Sequence, residues 1–168
     1  MHIILGDITC MDTDAIVNAA SSDLKCYPGI CEAIFNAGDT DRIEQACRNI
    51  GHCPIGHAVV TTAYGLPSKY IIHVAGPGYF SGTKVELLLL QRCYKSALHK
   101  AVILNCKSVA VPLMFSGAYH VPRTTALSIA YSTISEFERE NPYVEIFLVL
   151  YTKGIYELSK RILSKSNL

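Results

Sequence analysis

Apolar and polar positions along the chain follow two rhythms that take turns. Short apolar or β-branched runs occupy His2–Leu5, residues 14–17, Ala58–Thr62, residues 70–73, Ser108–Pro112 and residues 144–151. Each is brief enough for a strand, and those rich in Val, Ile, Thr or Tyr have strand-like content. Between them, apolar residues return every three or four positions. Ile30, Ala33, Ile34 and Ala37 form one such face, ended by Gly38. Asp39 or Thr40 is placed to cap a second helix running to about Ile50. Further helices are predicted over residues 86–101, 124–140 and 155–164, with fraying over residues 164–168. Turn signals separate the segments: Gly6-Asp7, Pro28-Gly29, Gly65-Leu66-Pro67 and Gly76-Pro77-Gly78. Interleaved strands and helices predict an α/β protein with helices on both faces of one sheet. Residues 1–168 show no linker, repeat or low-complexity tract, so a single domain is expected.

Composition narrows the function classes. The 168 residues suit one domain, and a 50% hydrophobic content supplies a sizeable core. Net charge is only +1, with no polybasic block, which argues against a nucleic-acid groove built on phosphate neutralisation. A small anion remains open, because backbone amides hold phosphate without lysine. No apolar stretch reaches the roughly 20 residues that span a bilayer, and no secretory signal is visible, so neither membrane nor export is expected. The seven cysteines are an odd number and scattered, which predicts reduced thiols in a cytoplasmic protein.

In open α/β sheets, ligands gather beyond the carboxyl ends of the strands. Segments there include Gly6-Asp7-Ile8-Thr9, Asn18-Ala19-Ala20-Ser21 with its Pro-Gly turn, Ser116-Gly117-Ala118-Tyr119, and Tyr151-Thr152. Taken singly, each is as compatible with a structural turn as with a site. Together they resemble the macrodomain family. The opening signature matches at Gly6-Asp7-Ile8-Thr9 and Asp14-Ala15-Ile16-Val17-Asn18-Ala19-Ala20. The middle matches at Cys53-Pro54-Ile55-Gly56-His57-Ala58 and from Leu66 to Pro77, and Val111-Pro112 with Ser116 to Pro122 matches a second phosphate loop.

That resemblance implies a three-layer α/β/α fold with a mixed, mostly parallel sheet of about six strands. It also implies binding of ADP-ribose or a mono-ADP-ribosylated protein, in some members with hydrolysis of ADP-ribosyl or O-acetyl-ADP-ribose linkages. No cofactor is implied. By position, Asp7 would accept from the adenine amino group, Ile8 would line the adenine slot, and Tyr151 would cover the base. Ser116, Gly117, Ala118 and Tyr119 would wrap the diphosphate, with Tyr119 near the distal ribose. Gly29 and Ile30 would close the other side, and Asn18 would either touch ligand or brace the loop.

The match breaks in the first loop. Hydrolytic members carry an asparagine, a run of glycines and often an aspartate there; this chain has Ser21, then Tyr27 and Pro28 before the one remaining Gly29, then Cys31. Catalysis, if present, would rest on Ser21, Tyr119 and Glu32 with the substrate's own phosphate, although one helical step turns Glu32 by roughly 100° from the aspartate position. Cys26 and Cys31 admit three readings: inert thiols, a reactive thiol favoured by a helix N-terminus, or a zinc site with only two nameable ligands. Three functions therefore compete: an ADP-ribosyl hydrolase or deacetylase, a non-catalytic ADP-ribose reader, and a divergent pocket for another nucleotide. A cleft plugged by Tyr27, with no room for two phosphates, would remove the functional reading and leave only the architecture.

Overall fold

A computed structural model describes residues 1–77, 81–117 and 119–166. Strands are β1 (His2–Leu5), β2 (Ala15–Ala20), β3 (Ala58–Thr62), β4 (Tyr70–Ala75), β5 (Ser108–Pro112) and β6 (Glu145–Leu150). Helices are α1 (Ile30–Ala37), α2 (Thr40–Ile50), α3 (Lys84–Ile103), α4 (Arg123–Glu140) and α5 (Lys153–Ser166), with a 3-10 turn at Ile8–Cys10. The strands form one sheet in the order β1-β6-β5-β2-β4-β3. Every pairing is parallel except β3 with β4, which form an antiparallel pair across the Gly65-Leu66-Pro67 turn. The mixed, mostly parallel sheet that the resemblance implies is therefore present.

Alternation along the strands builds the layers, because successive side chains point to opposite faces. Ala15, Val17, Ile72, Val74, Val109, Val111, Ile146 and Leu148 pack into the layer of α3 and α4, where Leu90, Tyr94, Leu98, Leu127 and Ile134 complete the core. Ile16, Ala20, Ile71, Ala75, Ala110 and Val149 face α1 and α2 through Ile34, Phe35, Ile43 and Cys47. Both faces of the central strands are covered, which is why they read as continuous apolar runs.

Local chemistry sets the helix ends. Asp39, one of the two expected caps, accepts from the Arg42 amide at 3.2 Å. Helix α3 begins two residues earlier than periodicity predicts. The Thr83 hydroxyl accepts from Glu86 N while the Glu86 carboxylate accepts from Thr83 N, and this capping box adds the two residues. Helix α5 runs on to Ser166; the last two residues of the expected frayed tail lie outside the described ones.

At the amino ends of the strands, the Asp14 carboxylate accepts from Lys69 Nζ (2.6 Å), Lys107 N (2.7 Å) and Ser108 N (3.3 Å). It ties β2, β4 and β5 together there. Their carboxyl ends are left to diverge into loops.

Candidate functional site

Because β1, β6, β5 and β2 are parallel, their carboxyl ends share one rim, and a cavity of about 1060 Å³ opens there. That volume is at the upper end of small-ligand pockets, roughly 300–1,000 Å³. Among the described residues, the only charged side chains on its wall are Asp7, Asp23 and Lys25. An anion inside would therefore rely mainly on backbone amides.

At the β1 and β6 end the wall holds Asp7, Ile8, Tyr151, Thr152 and Ile155. Asp7 caps the 3-10 turn: its Oδ1 accepts from Thr9 N at 2.9 Å and from Thr9 Oγ1 at 2.8 Å. A carboxylate has a second oxygen, so capping leaves it able to accept from a ligand. Ile8 is buried and forms an apolar floor, while Tyr151 is 76% exposed. Tyr151 lies just past β6, and its ring is open at the rim and available for stacking.

The first loop, residues 21–29, follows β2. Leu24 anchors it, buried and at φ 57°, with its amide donating to Ser21 O at 3.1 Å. A non-glycine residue in that region carries backbone strain, a cost that gathers at sites. Around this anchor the Asp23 carboxylate collects three donors: Ser21 Oγ at 2.6 Å, Lys25 N at 3.2 Å and Tyr27 OH at 2.9 Å. Those bonds hold the Asp23 carboxyl below the ordinary carboxylate range, with the Ser21 hydroxyl contributing most. Tyr27 is half-exposed and lies on the wall, so the cleft is not plugged. Gly29 caps α1 at φ 112° with no side-chain bond to the helix amides, so the start of α1 meets the cavity through Gly29, Ile30 and Cys31. A helix start of this kind favours negative charge.

The second loop follows β5. Phe115 and His120 sit at φ 62° and 59°, and Val121 N donates to Phe115 O at 3.2 Å. The Phe115 ring packs edge-on against Tyr119, with centroids 4.9 Å apart. It also fills the space over Gly76 so closely that an added Cβ there would stand 2.1 Å from Phe115 Cε1. Tyr119 OH donates to Ala20 O at 3.4 Å and joins the loop to the end of β2; burial is the main cause raising its phenol's pKa. Below, the buried Tyr94 hydroxyl accepts from Met114 N at 2.9 Å and donates to Pro112 O at 3.3 Å.

Behind the first loop runs a buried polar chain. Asn18 Nδ2 donates to Cys31 Sγ at 3.3 Å and reaches His73 Nδ1 at 3.1 Å, and His73 Nε2 lies 2.9 Å from Thr61 Oγ1. The Asn18 amide makes Nδ1 the acceptor, so the neutral ring carries its proton on Nε2 and donates to Thr61. Burial drops the His73 pKa to about 4.

The structure thus brings Asp7, Ile8, Ser21, Gly29, Ile30, Ser116, Gly117, Tyr119 and Tyr151 to one wall. Asn18 is not on it; fully buried, it braces β2 against α1 and β4. Glu32 is exposed and outside the wall, because its helical step turns it away. Ala118 lies outside the described residues. The Cys26 and Cys31 thiols meet, and burial is the main cause that raises both, pushing Cys26 up to about 11. Among the described residues no three His, Cys, Asp or Glu side chains are grouped to hold a metal. Sequence reasoning missed Asp23. Its signal was local, an Asp two residues before Lys25 in a Ser-Ser-Asp turn, the position from which Asp bonds its own backbone.

A model of the Macro domain family matches residues 17–130. A macro domain-containing protein of Methanosarcina mazei is 40% identical over 166 residues, covering 98% of this chain and 88% of its own. An O-acetyl-ADP-ribose deacetylase of Citrobacter rodentium is 39% identical over 171 residues, covering 98% and 96%. The solved Oceanobacillus iheyensis macrodomain with ADP superposes with a TM-score of 0.90 at 31% identity, covering 97% of this chain and 89% of that one.

Proposed function

The chain belongs to the macrodomain family, and from that premise we propose that the cavity binds ADP-ribose, free or as a mono-ADP-ribosylated protein. The observation that carries this reading is the order of groups along the rim. A carboxylate and an open aromatic ring stand at one end, Asp7 and Tyr151. In the middle, the start of α1, with no side-chain cap, shares the wall with the Ser116-Gly117 turn, and no arginine lines it. Asp7 would accept from the adenine amino group, and the Tyr151 ring would stack on the base for about 1–3 kcal/mol. Main-chain amides of both loops would hold the diphosphate, with Gly29 and Ile30 on one side and Ser116, Gly117 and Ala118 on the other. Tyr119 would pack against the distal ribose. Calorimetric titration with ADP-ribose tests this: saturable binding that weakens in Asp7→Ala supports it, and no heat with ADP-ribose or ADP removes it.

A second reading, hydrolysis of the O-acetyl-ADP-ribose ester, is favoured by the 39% identity to the Citrobacter deacetylase. Ser21 and Tyr119 are the hydroxyls placed for it, beside the ligand's own phosphate; Glu32 would enter only by a rotation of α1. Release of ADP-ribose from O-acetyl-ADP-ribose above the buffer rate is the expected result. Binding without release would leave a reader. No helix among the described residues is long and apolar enough to cross a membrane, and the seven unpaired cysteines suit a reducing, cytoplasmic setting.

A further inference from the structure

We propose that Asp23 determines specificity at the distal end of the cavity, accepting from a hydroxyl of the terminal sugar and repelling a phosphate in the same place. The proposal rests on the ADP-ribose reading above and names what selects that ligand. Asp7 follows β1 and Asp23 follows β2, three strand positions apart in the sheet order. At about 4.8 Å per strand the two carboxylates mark ends roughly 14 Å apart, with the amide-lined middle between them. With the base at Asp7 and the phosphates in the middle, Asp23 meets whatever lies beyond the second phosphate.

The carboxylate is fixed before any ligand arrives. Ser21 Oγ and Lys25 N bond Oδ1, and Tyr27 OH bonds Oδ2. A carboxylate offers roughly four acceptor positions, so one remains on Oδ2. The Ser21 hydroxyl has one proton, already given to Asp23, and so meets a ligand only as an acceptor. The same three donors make Asp23 a weak base, and a fixed acceptor of hydroxyl protons is the role left to it. Lys25 Nζ, 3.8 Å from Oδ2, is a mostly exposed ammonium and does little to offset the charge. A sugar diol brings donors to this point, whereas a third phosphate brings a second anion.

The test is calorimetric titration of ADP-ribose, ADP and ATP into the full chain, with Asp23→Asn and Asp23→Glu as variants and thermal melts as the check on folding. Asparagine keeps an oxygen for Ser21 and removes the charge; glutamate keeps the charge. The wild type is expected to prefer ADP-ribose to ADP by about tenfold and to bind ATP weakest. Asp23→Asn should lose about tenfold for ADP-ribose, move ADP less than about threefold, and bind ATP several-fold better. Asp23→Glu should still reject ATP. A parallel fall for all three ligands, an unchanged ADP-ribose to ATP ratio in Asp23→Asn, or ATP accepted equally by both variants would overturn the proposal. If the wild type binds ADP but does not distinguish ADP-ribose, this proposal alone falls. If it binds none of the three, the reading of the cavity falls with it.

Discussion

The two loops that face each other across the cavity are held in different ways. The first is strung on hydrogen bonds between side chains, with the Asp23 carboxylate at its centre, and rooted on a polar chain through Asn18 and His73. The second is wedged: Phe115 is clamped between Gly76 and Tyr119, and its root is one buried phenol, Tyr94. A wedged loop presents its amides at fixed positions. A strung loop presents side-chain acceptors instead, and its root on His73 depends on protonation state. The pairing suits a site that must grip a diphosphate rigidly on one side and inspect what is attached to it on the other.

Four measurements test the contrast. Gly76→Ala strikes the wedge hardest. The new methyl would sit within 2.1–2.6 Å of three Phe115 ring carbons, so the ring must leave. A loss of about 3 kcal/mol or more in chemical denaturation is expected. The root of the first loop should instead titrate. His73 is neutral when folded, with its pKa lowered from 6.5 to about 4, so its contribution is complete above 6.5 and is lost as pH falls towards 4. Over that window the unfolded chain binds the extra proton, and stability should drop by roughly 3 kcal/mol. Denaturation across that range should be visibly flatter in His73→Gln, whereas Tyr94→Phe should leave the slope as it is.

Tyr94→Phe deprives the buried Met114 amide of its acceptor and should cost about 2 kcal/mol, accompanied by weaker ADP binding as the second loop loosens. Equal stability in that variant would show that the wedge stands without its root. The smallest effect is expected for Tyr27→Phe, which removes one exposed donor from Asp23. Stability should change by less than about 0.5 kcal/mol, and ADP-ribose affinity by less than about threefold. A larger loss would mean that the first loop is held by Tyr27 rather than by Ser21 and the Lys25 amide.

Much of the frame was legible in the chain. Strand and helix rhythms gave the sheet, both layers and the Asp39 cap, because those features depend on residues close in sequence. The Thr83 to Glu86 capping box was equally local but hidden by the weak periodicity before it. What local order did not reveal depends on register. Asn18 and His73 are opposite one another only once β2 and β4 pair, and their polar chain then appears inside an apolar layer. Asp23 is a different case: its donors are local, within four residues, and they converge because Leu24 turns the loop back. For the cysteines the sequence left inert, reactive and metal-binding readings open, and the desolvation that raises Cys31 comes only with the packed fold.

The parallel run of β1, β6, β5 and β2 sends the connections that line the cavity to one side, while Asp14 fastens the other. Residues 21–29 lie beyond the hydrogen-bonded register of β2, which ends at Ala20 opposite Ala75. Tyr27 and Pro28 thus cost the scaffold no ladder bond. Descent can rewrite what such a protein holds at little risk to how it stands, and a sheet of this build is a durable platform for changing tastes.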